Sequence, residues 1–287
     1  MEVLSAVFQE YQDLRGMNPK PAVQSVERLI EVVGDLPVDQ YTRSHAKAFL
    51  QSYRKQKTST RRRRLNSITA ILNYAYSEYD IDKRNPFARI IIKDEGKDAT
   101  PREPFTGDEL EKLYSDCLSY GKLRLILPIL GETGCRLSEI LGLMKQDITE
   151  EAGLVVINIK ENRIRTLKTS NSERSLPIVS KSATEALQTL LGQSKGNPYL
   201  FPRYVAGGAL KASGASNTLC KYLKANYRGK TVHCLRHSMR DRLREADVPL
   251  EAIDQIGGWS GVGGVGTRYG KGYSMLKLAE YLRQVAI

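Results

Sequence analysis

The chain has 287 residues, room for about two domains, and its 44 Lys and Arg against 32 Asp and Glu leave a formal charge of +12. Such a balance suits a partner with a phosphate backbone, against the plainer reading of a merely basic soluble protein. Cys117, Cys135, Cys220 and Cys234 lack ligand spacing, which argues against disulfides and zinc. The N-terminus has no leader pattern, and no apolar run nears the ~20 residues of a membrane span, so a cytoplasmic protein with no membrane partner is expected.

Residues 1–92 read as helices with short breaks. Val3, Val7 and Tyr11 fall at helical spacing, and after Pro21 a stripe of Val23, Val26, Leu29, Ile30 and Val33 stops at Gly34. A third helix is predicted from Ser44 to Arg54. The fourth, Ser59 to Tyr79, sets Leu65, Ile68, Leu72, Ala75 and Tyr79 on one face while Arg61, Arg62, Arg63 and Arg64 crowd its first turns. A solvated face is the usual fate of such a run. Arginines at a helix N-terminus nevertheless oppose the macrodipole, and a phosphate partner accounts for the placement, so these four are assigned to DNA binding.

Between Asn85 and Pro104, prolines, charges and a glycine interrupt all periodicity, which predicts an extended linker with the domain boundary at 93–104. Thr106 and Glu109 then have capping-box spacing ahead of Leu110, Leu113 and Leu118. An apolar helix from Leu123 runs to a glycine turn, and another opens at Arg136. An arginine at the mouth of a buried helix is costly unless an anion meets it. Glu139, one turn on, either is that partner and makes Arg136 structural, or turns Arg136 towards a phosphate. Strands are expected at Leu154 to Ile159, ahead of a polar turn at Thr169 to Ser172, and after it up to Pro177, making a small antiparallel sheet. Lys168, at the last strand position before the turn, reads by itself as an ordinary edge residue. Helices follow at Ser182 to Leu191 and Ala215 to Ala225, with a glycine-rich basic loop at Gly207 to Gly214.

The stretch from Thr231 to Tyr273 is the most informative. His233 and Arg236 are three apart, sharing a face if they open a helix, whose N-terminal turn is a ready anion site. A lone histidine is usually a satisfied core residue, and the single Trp259 usually a core anchor, although its indole N–H is a neutral donor suited to phosphate oxygen. Residues 257–272 are too rich in glycine for a regular helix and are expected to be mobile. Gly261, Gly263 and Gly266 match a dinucleotide fingerprint only formally, since no strand precedes them. That leaves Tyr269, flanked by Arg268 and Lys271, as a tyrosine on a basic tether. In the tail, Met275, Leu278, Ala279, Leu282 and Ala286 share one face.

Four segments, TGCRLSEILGL, LKTSNSERSLPI, HCLRH, and IGGW followed by RYGKGY, resemble in order and spacing the boxes of the tyrosine recombinases, the phage-integrase family. The resemblance runs by motif from about Phe105 to the C-terminus, and by architecture alone over the arginine-rich N-terminal region. It implies a mostly α fold: a helical core DNA-binding domain over 1–92, a linker, and an α+β catalytic domain over 105–287 with a small antiparallel sheet, together a C-shaped clamp on DNA. The arm-binding domain of many phage integrases has no counterpart in this sequence.

Carried over position by position, the resemblance gives Arg136 and Arg236 the scissile phosphate, Lys168 the role of general acid and His233 that of base. Trp259 stands where many members have a second histidine, and Tyr269 is the nucleophile, with Tyr273, one helical turn later, as the alternative. The implied function is site-specific recombination through a 3′-phosphotyrosine, without metal or other cofactor. The implied partners are double-stranded DNA, further copies of the chain (a dimer per site, a tetramer in the synapse) and an accessory bending or directionality protein. The tail helix either packs on its own core or docks on a neighbouring copy. Rival readings are a type IB topoisomerase-like activity and a non-catalytic DNA-binding protein on the same scaffold; a metal nuclease lacks the acidic cluster it would need.

Overall fold

The computed structural model describes residues 1–15, 20–101, 103–119, 121–167, 169, 172–194, 196–259 and 272–287. The chain divides into two compact units, Met1–Pro101 and Arg102–Ile287.

In the first unit four helices, α1 (Leu4–Arg15), α2 (Lys20–Val33), α3 (Arg43–Ser52) and α4 (Thr58–Glu78), enclose a core that includes Leu4, Val7, Leu29, Phe49, Leu65, Ile68 and Leu72. Gly34, with φ of 93°, ends α2 where an L-residue would be strained. Residues 93–98, expected to be extended, instead form turns that reach back to the start of α4. There Lys57 supplies no side-chain cap, and the Asp98 carboxylate accepts from the Thr58 N–H at 2.6 Å and from its hydroxyl. These Thr58 hydrogen bonds hold the Asp98 carboxyl below its ordinary range. The anion that the N-terminus of α4 attracts is therefore in part an internal one.

The second unit is built on α6 (Ile126–Thr133), every residue of which is buried; its apolar residues fill the core while the buried Glu132 at its end is paired with Arg242. It starts three residues later than its apolar run because Pro128, lacking an N–H, belongs in a first turn. Around it lie α5 (Gly107–Leu118), α8 (Lys181–Gln193) and α10 (Val232–Glu245). The capping box on α5 forms as expected, with Leu110 and Leu113 buried, but Cys117 takes the core position and Leu118 is exposed.

The sheet has the order β1 (Ile148–Glu151), β2 (Leu154–Ile159), β3 (Arg174–Ile178), antiparallel throughout. The segment before Lys168 departs from expectation: residues 161–167 are no strand but a turn closed between Asn162 and Arg165. The second hairpin strand is instead β1, whose ITEE sequence carries little strand signal. Ala152 and Gly153, with φ of 51° and 73°, make the tight mirror-image turn that joins β1 to β2. Pro177 is tolerated because β3 is an edge strand.

The remaining elements are α7 (Leu137–Leu141), the small hairpin β4 (Val205–Ala206) and β5 (Ala209–Leu210), α9 (Ala212–Asn226), α11 (Leu250–Gly257) and α12 (Met275–Gln284). On α12, Leu278, Ala279 and Leu282 are buried, Ala279 against Leu154 and Val156 of the sheet. Ala286 is exposed, because the helix caps at Val285, which is buried in its place. Among the described residues no helix is long and apolar enough to cross a membrane.

Candidate active site

Arg136 is placed by the turn that ends α6. Gly134 adopts φ of 64° there, and a Cβ on it would come within 3.2 Å of Met239. Arg136 then takes the N-cap position of α7 with extended backbone, and Glu139 sits one turn on. The Glu139 carboxylate accepts from the Arg136 N–H at 2.8 Å and from its Nη1 at 2.6 Å. Its second partner is Arg174, at the start of β3, whose Nη2 donates to Oε2 at 3.0 Å. Burial pushes the Glu139 carboxyl up, but Arg174 and the hydrogen bonds from both arginines outweigh it and hold the group below its ordinary value. Glu139 thus both pairs with and orients Arg136, and two cations sharing one carboxylate keep a formal charge of +1.

Arg236 lies on the first turns of α10 and is buried, its Nη1 donating to the carbonyls of Gly134 at 2.6 Å and Gly257 at 2.5 Å. Desolvation, then the like charge of Arg136, lowers its pKa to about 10, so it stays a cation at neutral pH. His233, three residues earlier, is exposed and stands edge-on to His237 with ring centres 4.7 Å apart.

The third contributor is the C-terminal end of α11. Three successive carbonyls accept from three arginines: Ile256 from Arg174 Nε at 2.8 Å, Gly257 from Arg236, and Gly258 from Arg136 Nη2 at 3.4 Å. Carbonyls left over at a helix C-terminus carry its partial negative charge, which suits them to guanidinium groups. Trp259 folds back over this end, its ring facing Arg236 at 4.2 Å and Arg240 at 4.9 Å. A Cβ on Gly257 would collide with that ring, so the position requires glycine.

Of the residues singled out in the sequence, Arg136, Arg236 and Trp259 come together, with His233 on the same helix as Arg236. Lys168 and Tyr269 lie outside the described residues, as does most of the glycine-rich stretch, 260–271. Tyr273 is tied by its backbone to Gln255 and packs its ring against Tyr281 at 5.8 Å. Arg61 to Arg64 belong to the other unit. There Arg62 is held by Glu95 and the Ile90 carbonyl, and Arg64 by Gln24 and the Pro21 carbonyl, while Arg63 is exposed.

Sequence reasoning missed Arg174 and Ser172. The signal was present: an arginine opening an apolar strand is as costly to bury as one opening an apolar helix. A cavity of about 710 Å³, bordered by Leu123, Arg124, Phe201, Tyr204, Leu219 and Tyr222, includes none of the clustered arginines. Within the cluster Arg174 and Arg236 are buried and Arg136 is the partly exposed cation, a quarter of its side chain reaching the surface.

The model of the phage integrase family matches residues 103–273. Among curated proteins, a tyrosine recombinase XerC-like protein of Caldanaerobacter subterraneus is 28% identical over 246 residues, covering 73% of this chain and 62% of its own. The tyrosine recombinase XerA of Thermococcus kodakarensis is 28% identical over 262 residues, covering 88% and 85%. The chain therefore spans less than two thirds of the first relative's length. Among solved structures, the Tn1549 transposon integrase in complex with transposon right end DNA superposes with a TM-score of 0.69 at 20% identity, covering 97% of this chain and 98% of the other. A lambda integrase tetramer bound to a Holliday junction gives 0.66 at 18%, covering 92% and 81%.

Proposed function

Taking as premise that this chain belongs to the phage integrase family, we propose that it is a site-specific DNA recombinase that cuts and rejoins strands through a 3′-phosphotyrosine. The observation that carries this reading is the convergence of Arg136 and Arg236 on adjacent carbonyls at the end of α11, on a backbone that continues through Trp259 towards Tyr269. Fixed guanidinium groups are what a phosphoryl transfer requires, because the negative charge gathers on the non-bridging oxygens as the pentacoordinate state forms.

In the reaction the Tyr269 oxygen bonds to phosphorus while the bond from phosphorus to the 5′ oxygen breaks. The phenolic proton passes to His233, and Lys168 delivers a proton to the departing 5′ hydroxyl. The phosphodiester is conserved as a protein–DNA ester, which a 5′ hydroxyl from another strand reverses. An ordinary tyrosine has a pKa of about 10, so the neighbouring cations and the base must favour its phenolate. Tyr273 is the less suitable nucleophile because its backbone is bonded to Gln255 and its ring is packed on α12.

The partners that go with this chemistry are duplex DNA and further copies of the chain, as in the lambda integrase tetramer on its junction, and the compartment is the cytoplasm. The amino-terminal unit, with Arg61 and Arg63 on α4, supplies the second DNA-gripping element, and the division into 1–92, 93–104 and 105–287 is the functional one.

The test is covalent capture. Nicked suicide duplexes made from the DNA flanking the gene are incubated in EDTA and resolved on denaturing gels. Wild type yields a protein–DNA adduct and Tyr269→Phe none. Loss with Tyr273→Phe alone would move the nucleophile, and tight binding without any adduct would favour the non-catalytic DNA-binding reading. A topoisomerase-like activity would give the adduct but no joining between two duplexes.

A further inference from the structure

We infer that Arg174 is a positioning residue for strand cleavage, holding Glu139 and two neighbouring segments so that Arg136 faces the phosphate with its charge intact. The inference rests on the recombinase reading. The Arg174 side chain is almost fully buried at the start of β3, and its guanidinium reaches four partners in three segments of the chain. Nη2 donates to Glu139 Oε2 at 3.0 Å and to Cys135 Sγ at 3.1 Å, Nη1 to the Ser172 carbonyl at 2.7 Å, and Nε to the Ile256 carbonyl at 2.8 Å. Burial pushes the Cys135 thiol up, so Arg174 meets it as a neutral acceptor.

Two consequences follow for Arg136. The first is electrostatic. A carboxylate facing a single arginine closes on it with both oxygens and cancels its charge. Here Arg174 takes a share of Oε2, and Arg136 Nη1 keeps Oε1 alone. The second is geometric. Ser172 gives its carbonyl to Arg174 and its hydroxyl to Arg136 Nη1 at 2.9 Å, so both arginines fasten the residue four places after Lys168. Arg174 also fixes the Ile256 carbonyl beside the two that accept from Arg236 and Arg136.

Positioning and mere structural support are separated by the charge on the substrate. Replacing one non-bridging oxygen of the scissile phosphate by methyl removes the negative charge that Arg136 meets, so a variant impaired in presenting that cation loses less on the methylphosphonate. A variant impaired in folding loses equally on both linkages. Single-turnover adduct formation would be measured on both duplexes for wild type, Arg136→Ala, Arg174→Met and Arg174→Lys, with duplex affinity and unfolding temperature recorded for each. Arg174→Met is expected to lose about 100-fold on the phosphodiester and less than about tenfold on the methylphosphonate, following the pattern of Arg136→Ala. Arg174→Lys, which keeps the charge but not the fork, should fall between Arg174→Met and wild type, and it carries the comparison if Arg174→Met does not fold. Equal losses on both linkages, or no loss on the phosphodiester, would overturn the inference. Absence of adduct from wild type on either linkage would remove the recombinase reading and the inference with it.

Discussion

Two groups of arginines in this molecule are used in opposite ways. In the cluster around α11 each guanidinium is braced: Arg136 by Glu139 and Ser172, Arg174 by four partners, Arg236 by two carbonyls and the Trp259 ring. Along α4 the run from Arg61 to Arg64 is divided, Arg62 and Arg64 serving their own unit while Arg63 stays exposed. On the recombinase reading, the difference matches two demands that a DNA strand makes. Stabilising charge at one phosphorus needs cations that do not reorganise, whereas following a backbone needs exposed cations that exchange places with salt ions.

The comparison is broken most severely by removing a braced cation. Arg136→Ala or Arg236→Ala should slow single-turnover adduct formation by about 1,000-fold or more while changing duplex affinity far less, measured by quench and gel shift on the same duplex. Similar losses in rate and affinity would mean that the cluster only binds.

Next comes Glu139→Gln, which leaves the buried Arg174 and the partly exposed Arg136 without their anion and should destabilise the protein by roughly 3 kcal/mol near pH 7 in denaturant melts. Because the folded carboxyl titrates below its unfolded value, its contribution is present above about pH 4.3 and is lost as pH falls through the folded pKa. The stability of wild type should therefore drop more steeply below about pH 5 than that of Glu139→Gln.

A smaller effect is expected from the paired change Arg61→Ala and Arg63→Ala. It should flatten the log–log salt dependence of duplex binding by about 0.9 for each phosphate no longer neutralised, with cleavage of the bound complex unaltered. Smallest of all, Arg62→Ala removes an exposed pair with Glu95 and one bond to the Ile90 carbonyl and should leave the unfolding temperature nearly unchanged.

Much of this was legible because local signals agreed with packing. The stripe ending at Gly34 became α2, and Thr106 with Glu109 became a capping box. At the N-terminus of α4 the structure adds an anion that the arginine run does not announce: Asp98, forty residues from Thr58, caps the helix. No periodicity reveals such a long-range partner. The strand β1 was missed because three of its four residues are exposed and two are acidic, so it is held by pairing with β2 rather than by its own composition. Arg174 was missed for a related reason. A residue that acts by touching two segments distant in sequence, around Cys135 to Glu139 and at Ile256, has no local pattern, and only the cost of burying it hinted at a role.

The two ends of the stretch from 260 to 271 are fixed to neighbouring residues of α11. The Trp259 N–H donates to the Asp254 carbonyl at 3.0 Å, and the Gln255 side chain bonds both the N–H and the carbonyl of Tyr273, at 2.8 and 3.1 Å. Tyr269 is four residues from that second anchor, and four residues span at most about 14 Å. On the recombinase reading the Tyr269 nucleophile is carried by the same chain as the arginines, so its attack is intramolecular and independent of the amount of protein in solution. Dilution should slow the pairing of two duplexes but leave the rate of attack within each bound complex unchanged.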